Sequence, residues 1–339
     1  MSQKCEGCGL TLQTSDVHKP GYAKAVDHRF CQSCFRLRHY RDFKRVRAEV
    51  DDGVILDFVM EFEGTIFWII DLMNIQQSLH PALIRHLTGK NVVLLVNKRD
   101  LLPKSVSNRR LLHGIMRLLK PYPIQFMEVL FVSAKNRESL EPILPYLYMG
   151  DVAFVGCVNV GKSSILNTLL NDDSLSVSPV ASTTASVIEL EVNEFKLYDT
   201  PGLQNESAIT YRLSEEDLVS LSPQKTVKPQ VFQIYEKQAL VLGGVFALII
   251  EPYKQSQIIS YLPLDMKRVK PERVDANLKQ AEYLVVDSPS YRKKAYPSTK
   301  EDVEIEIYDF GMLIIKGGVK KIEVVAEKDM EYIYRKAVL

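Results

Sequence analysis

Apolar residues in this chain come in short continuous runs, each closed by polar residues and separated by stretches of helical spacing. GTIFWIIDLMN (64–74) and KNVVLLVNKRD (90–100) are two such runs, and SLHPALIRHLTG between them has helical periodicity with a glycine stop. Four more strands are expected at 125–136, 150–161, 186–192 and 194–202. Helices are expected over RRLLHGIMRLLK, SLEPILPYLY and KSSILNTLLND. Runs that are apolar throughout belong to a sheet covered on both faces, so the pattern predicts a mostly parallel α/β sheet. Ligands of such sheets bind at the carboxyl ends of the strands. Beyond about residue 215 the alternation fades into strands and turns, with one helix expected near PERVDANLKQAEYL. That part reads as a separate β-rich domain. No internal repeat stands out.

Composition narrows the class. The chain has 339 residues, 46% apolar and 25% charged, with a net charge of +1. This suits a globular protein of two or three domains with no global field toward nucleic acid. No run approaches the roughly eighteen apolar residues of a membrane span. ALVLGGVFALII (239–250) is better read as buried strand. The N-terminus lacks a signal-peptide core, so the expected location is the cytoplasm, with no membrane partner and reduced cysteines.

The strand ends carry the chemistry. GCVNVGKS satisfies G-x-x-x-x-G-K-[ST] at Gly156, Gly161, Lys162 and Ser163, between an expected strand and an expected helix. Backbone N–H groups of Asn159, Val160, Gly161, Lys162, Ser163 and Ser164 can converge on phosphate oxygens. Lys162 reaches the outer phosphates, and Ser163 can ligate Mg²⁺. Asn97, Lys98 and Asp100 form N-K-x-D at another strand end. One carboxylate can accept both guanine N1–H and the 2-amino group, a role assigned to Asp100, with Asn97 and Lys98 bracing the loop. Ser133, Ala134 and Lys135 fit a loop whose backbone N–H meets guanine O6. In DTPG, Asp199 can hold Mg²⁺ through water and the Gly202 N–H can meet a γ-phosphate. The STT at 182–184 offers a switch threonine: Thr184 is preferred as the Mg²⁺ ligand and Thr183 is the alternative. Cys157 reads as a buried filler and Trp68 as core. Glu215, Glu216 and Asp217 read as the first turn of a helix.

Four of the five cysteines open the chain. Cys5, Cys8, Cys31 and Cys34 make two CxxC knuckles whose four thiolates suit a closed structural Zn²⁺ site; a redox CxxC is the alternative. From Arg29 to Arg47 there are seven Lys/Arg and one Asp, interleaved with Phe35, His39, Tyr40 and Phe43. This tail suits RNA backbone and stacking contacts, through Arg36, Arg38 and Arg41 among others, or a solvated helix face.

Taken together, these residues resemble the P-loop GTPases of the translation-factor class. The order NKRD, SAK, GCVNVGKS, TT, DTPG resembles their circularly permuted subset, and with the N-terminal cysteines the whole chain is similar to the YqeH family of ribosome-assembly GTPases. The resemblance implies a zinc module with a basic tail (1–48), a circularly permuted GTPase domain (49–214) and a β-rich domain binding RNA or protein (215–339). It implies Mg²⁺-dependent hydrolysis of GTP to GDP and phosphate, coupled to maturation of the small ribosomal subunit or its RNA. No DNA partner is expected, and a monomer is. Leu203 stands where many GTPases place a water-orienting Gln, so a slow intrinsic rate is expected. Members of the resembled class hold K⁺ with a cradle Asn, here Asn159. Lys162, Thr184, Gly202 and Asn159 would then carry catalysis. Two rivals stand beside this: an RNA-binding scaffold using nucleotide only structurally, which Leu203 favours, and a metabolic P-loop kinase or ATPase, which NKRD disfavours.

Overall fold

A computed structural model describes residues 51–170, 177–179, 187–192, 194–205, 208–221, 223 and 225–339, together with 4–5, 11–15, 21–23, 25, 28–29 and 31. Helix α1 (Asp52–Glu61) starts at Asp51, whose carboxylate accepts the Gly53 N–H at 2.9 Å. Then come β1 (Thr65–Asp71), α2 (Pro81–His86), β2 (Asn91–Asn97), α3 (Asn108–Leu119), β3 (Phe126–Phe131), β4 (Val152–Val155), α4 (Lys162–Leu170), β5 (Val177–Pro179), β6 (Ile188–Val192) and β7 (Phe195–Asp199). The strands form one sheet in the order β3-β2-β1-β4-β7-β6-β5, parallel from β3 to β7 and antiparallel at β6 and β5. Ile66 to Ile70 and Val92 to Val96 are fully buried, which is why β1 and β2 are apolar throughout. Trp68 lies in this core, stacked on Phe126.

The helix expected over SLEPILPYLY takes a tighter form. Arg137–Tyr148 is 3₁₀-helical, with Pro142 and Pro145 inside it. Each proline removes an N–H that an α-helical ladder needs, so i→i+3 geometry prevails.

The remaining elements are α5 (Glu215–Ser220), β8 (Gln230–Ile234), β9 (Gln238–Leu242), β10 (Phe246–Pro252), β11 (Ser256–Tyr261), β12 (Lys267–Val269), α6 (Val274–Lys279), β13 (Tyr291–Tyr296), β14 (Val303–Ile307), β15 (Gly311–Lys316), β16 (Val319–Glu327) and β17 (Tyr332–Lys336). They build two antiparallel sheets, β12-β9-β10-β16-β13 and β17-β14-β15-β11-β8, around a core that includes Leu240, Phe246, Ile305, Leu313 and Val324. The run 239–250 is the β9–β10 hairpin, with Leu242 opposite Phe246. Among the described residues no helix is long and apolar enough to cross a membrane. Helix α5 is capped by Ser214, whose hydroxyl accepts the Asp217 N–H, so Glu215, Glu216 and Asp217 do form a first helical turn.

Compactness divides the chain into two units that are not consecutive. One takes the described residues up to 72, then 78–99 and 122–205; the other takes 73–77, 100–121 and 206–339. Inside the second unit a buried ion cluster ties early chain to late chain. The Gln76 and Gln77 N–H groups donate to the Glu306 carboxylate at 2.7 and 3.2 Å, and the Arg335 guanidinium donates to Glu304 at 2.7 Å and to Glu306 at 2.5 Å.

Candidate functional site

The loop between β4 and α4 curls around a buried lysine. Lys162 is 6% exposed, and its ammonium donates to the carbonyls of Gly156 and Cys157 at 2.9 and 2.8 Å. That holds the charge at the mouth of the loop, where the first turn of α4 also leaves backbone N–H groups without helical partners. Asn159 has a left-handed backbone, φ 61°, which is uncommon for a residue with a side chain and often marks functional loops. At Gly161, φ is +94°, and a Cβ would lie 2.3 Å from Asn97 Nδ2, so the position requires glycine.

Asn97 joins the motifs. It closes β2, is 1% exposed, donates from Nδ2 to the Val160 carbonyl at 2.8 Å, and accepts the Ala134 N–H on Oδ1 at 3.3 Å. One amide thus bridges the phosphate cradle and the SAK loop. Thr168 of α4 adds a second tie, its hydroxyl donating to the Ala134 carbonyl at 2.6 Å. The SAK loop is braced internally: the Ser133 N–H donates to Ser139 Oγ, and the Lys135 N–H to Ser133 Oγ. Lys98 also has positive φ, 65°, and its ammonium pairs with the Asp71 carboxylate at 2.7 Å at the end of β1. Asp100 lies in the 3₁₀ turn Arg99–Leu101 and is half-buried.

The DTPG turn rests on the cradle's backbone. Asp199 is 1% exposed and lies opposite Phe154 where β7 pairs with β4. Past it, the Val158 N–H donates to the Leu203 carbonyl at 2.9 Å and the Leu203 N–H to the Gly156 carbonyl at 3.2 Å. A Cβ on Gly202 would lie 2.7 Å from Val158 N, so only glycine permits this approach. Leu203 itself is fully buried. Burial pushes the Cys157 thiol up to about 11, with the Lys162 ammonium pulling it back, so it stays a neutral filler.

Three contributors carried no sequence signal strong enough to be named. Asp71 was visible only as a carboxylate ending an apolar strand. Asp52 accepts the Gln204 N–H at 3.2 Å, and His80 Nε2 faces the same carboxylate at 3.8 Å. Both sit beyond any motif. Asp199 is a buried carboxylate at the end of β7, and carboxylate oxygen is the hard donor chemistry that suits Mg²⁺. At the N-terminus, Cys5 and Cys31 are buried together with Leu12 and Ala23, and the Cys31 N–H donates to Cys5 Sγ at 3.1 Å. Among the described residues no group of three or more His, Cys, Asp or Glu is gathered for a metal. Cys8, Cys34, Thr183, Thr184, Arg36, Arg38 and Arg41 lie outside the described residues.

Residues 151–241 match the family described as 50S ribosome-binding GTPase. The chain is 34% identical over 289 residues to the uncharacterized protein YqeH of Bacillus subtilis (strain 168), covering 80% of this chain and 79% of that one. The chain belongs to the YqeH family. NO-associated protein 1, chloroplastic/mitochondrial, of Arabidopsis thaliana is 26% identical, over 68% of this chain and 48% of that protein. The probable ribosome biogenesis GTPase A of Mycoplasma pneumoniae is 31% identical, over 43% of this chain and 55% of its own. The chain therefore spans about four fifths of the Bacillus YqeH protein and about half of the other two. It carries a P-loop GTPase domain with an α/β sheet, followed by β-rich sheets.

Proposed function

We propose that this YqeH-family chain is a GTP-hydrolysing switch in assembly of the small ribosomal subunit. The observation that carries the reading is the double hydrogen bond of Asn97, which makes the NKRD strand end and the cradle parts of one site. In this reading Asp100 accepts the guanine N1–H and 2-amino hydrogens, and the Ser133-Ala134-Lys135 loop donates to guanine O6. The N–H groups of Asn159 to Ser164 receive the phosphates, and Lys162 meets the outer ones. Ser163, Thr184 and Asp199 hold Mg²⁺, which when bound neutralises charge on the β- and γ-phosphate oxygens. The Gly202 N–H faces the γ-phosphate. Leucine at 203 cannot orient water, so turnover rests on positioning and on K⁺ held at Asn159, and it is slow without a partner.

The same proposal includes a zinc module at 1–48 held by Cys5, Cys8, Cys31 and Cys34, with RNA contacts from its basic tail. The GTPase domain spans 49–214 and the β-rich domain 215–339, in a cytoplasmic monomer. The matching family's description points to the 50S particle and one relative's name to ribosome biogenesis. The small subunit is the partner chosen here on the YqeH resemblance. Cosedimentation with separated 30S and 50S subunits, with GDP, a non-hydrolysable GTP analogue and no nucleotide, tests it; association with the 50S alone would overturn the small-subunit assignment. Phosphate release should be faster in K⁺ than in Na⁺, and Asp100→Asn should shift preference toward xanthine nucleotides. The burial of Leu203 favours a second reading, a scaffold with structural nucleotide; multiple-turnover phosphate release with K⁺ and ribosomal RNA separates the two.

A further inference from the structure

Between Leu101 and Met127 the chain has no Asp or Glu, yet it carries Lys104, Arg109, Arg110, Arg117 and Lys120, with His113 among them. In a protein of net charge +1 this is a concentrated local field. Most of it rides on α3. Surface helices usually pair cations with carboxylates four residues away, and α3 has none to offer. Arg109 and Arg110 also occupy its first turn, the end where the helix dipole disfavours cations. Stability does not explain the placement.

Arg109, Arg110, His113 and Arg117 are exposed, and they border a cavity of about 630 Å³. The opposite wall is made by Glu301, Asp302, Lys336 and residues 337–339. Its carboxylates are already engaged: Glu301 pairs with Lys336 at 3.0 Å, and Asp302 Oδ1 accepts the Gly317 N–H at 3.2 Å. Arg117 donates to the Ala337 carbonyl and fixes the wall to the helix. Among the described residues, the side chains of Arg109, Arg110 and His113 make no hydrogen bond or ion pair. The groove therefore carries Arg109, Arg110, Arg117 and Lys336 against the two carboxylates of Glu301 and Asp302, an excess of positive charge.

We infer that α3 and this groove bind the phosphodiester backbone of RNA. Guanidinium groups match phosphate oxygens in paired hydrogen bonds. Arg109 and Arg117 are eight residues apart, about 12 Å along the helix axis, so the cations form a track. An interface with a protein would want an apolar centre, and the large apolar side chain that α3 exposes is Met116 alone. The inference rests on the ribosome-assembly reading for its choice of RNA, and it adds a surface separate from the cysteine-rich N-terminus.

The test compares full-length protein with Arg109→Glu/Arg110→Glu and with Arg109→Lys/Arg110→Lys, titrated against a transcript of small-subunit ribosomal RNA over a range of salt. The Glu variant should bind about tenfold more weakly, and its slope of log affinity against log salt should be shallower by about 1.5, two phosphate contacts' worth. The Lys variant should keep most of the affinity. GDP affinity, measured in parallel, should be unchanged in both and reports folding. An unaltered salt slope in the Glu variant overturns the inference. So does displacement of the RNA by inorganic pyrophosphate at matched phosphate concentration, which would mark a small-anion site. Loss of subunit cosedimentation with unchanged RNA affinity would assign the groove to a protein and overturn it equally. If the parent protein failed to hydrolyse GTP, the switch reading would fall while the RNA titration remained readable.

Discussion

At Asn97 one buried amide satisfies a carbonyl of the cradle and an N–H of the SAK loop. Asn97→Ala would leave the buried Val160 carbonyl unpaired, at about 1–3 kcal/mol, and the half-buried Ala134 N–H without this acceptor. The expected result is a loss of GTP affinity of tenfold or more with a modest fall in Tm, read by calorimetry and thermal melts. Wild-type affinity in that variant would mean the two loops are positioned by something other than this amide. Lys98 differs in kind. Its ion pair with Asp71 fixes the turn that presents Asp100, and Asp71 is itself held by a hydrogen bond from its N–H to Ser78 Oγ at 2.9 Å. The NKRD turn is thus braced from the neighbouring strand rather than from within its own motif.

Among the elements, β14 and β17 illustrate how a polar cluster can organise an apolar fold. Glu304 and Glu306 are fully buried on β14, and Arg335 on β17 donates to both. Burial pushes the Glu306 carboxyl up, while Arg335 and the Gln76 and Gln77 N–H groups favour its charged form. Removing one partner of such a cluster leaves uncompensated charge, at a cost of about 3–5 kcal/mol. Arg335→Met should therefore lower the unfolding free energy by an amount in that range, read as a fall in the denaturant midpoint at unchanged slope. A midpoint within experimental error of wild type would show that the carboxylates simply take up protons. The 3₁₀ segment Arg137–Tyr148 carries two prolines inside it and still buries Leu140, Ile143 and Leu147.

At the scale of the molecule, the chain passes between its two compact units after residues 72, 77, 99, 121 and 205. Further along the chain, the Thr226 hydroxyl donates to the Asp100 carbonyl and the Val227 N–H to the Leu101 carbonyl, both at 2.8 Å. If nucleotide state moves the C-terminal region, these bonds are where it is felt. Hydrogen exchange should then differ between GDP and a GTP analogue at 203–205, 100–106 and 225–228; identical exchange throughout 203–339 would remove the basis for such wiring. Alkaline stability is a second property of the whole chain. Burial raises the phenols of Tyr146, Tyr198, Tyr261, Tyr283, Tyr291 and Tyr334, and takes the Cys157 thiol from 9.0 to about 11. An acid raised on folding keeps its proton longer in the folded chain. Its contribution is complete below the unfolded pKa and is lost as pH rises through the folded one. Tm should consequently hold steady to about pH 9 and decline toward pH 11, and Cys157→Ala should soften the decline.

The sequence alone determined whatever a few consecutive residues can encode: a glycine where the backbone turns left, a lysine after it, carboxylates at strand ends, and apolar runs whose continuity requires a sheet covered on both faces. Those features are local, so they survive being read in one dimension. Tertiary structure alone decided which distant groups complete them. That Asp71 pairs with Lys98, that Asp52 holds the Gln204 N–H, and that residues 73–77 and 100–121 join the β-rich unit all depend on contacts across tens to hundreds of residues. The net free energy of each such contact is small and emerges only once the shared core has excluded water, so no periodicity or motif in the chain announces it.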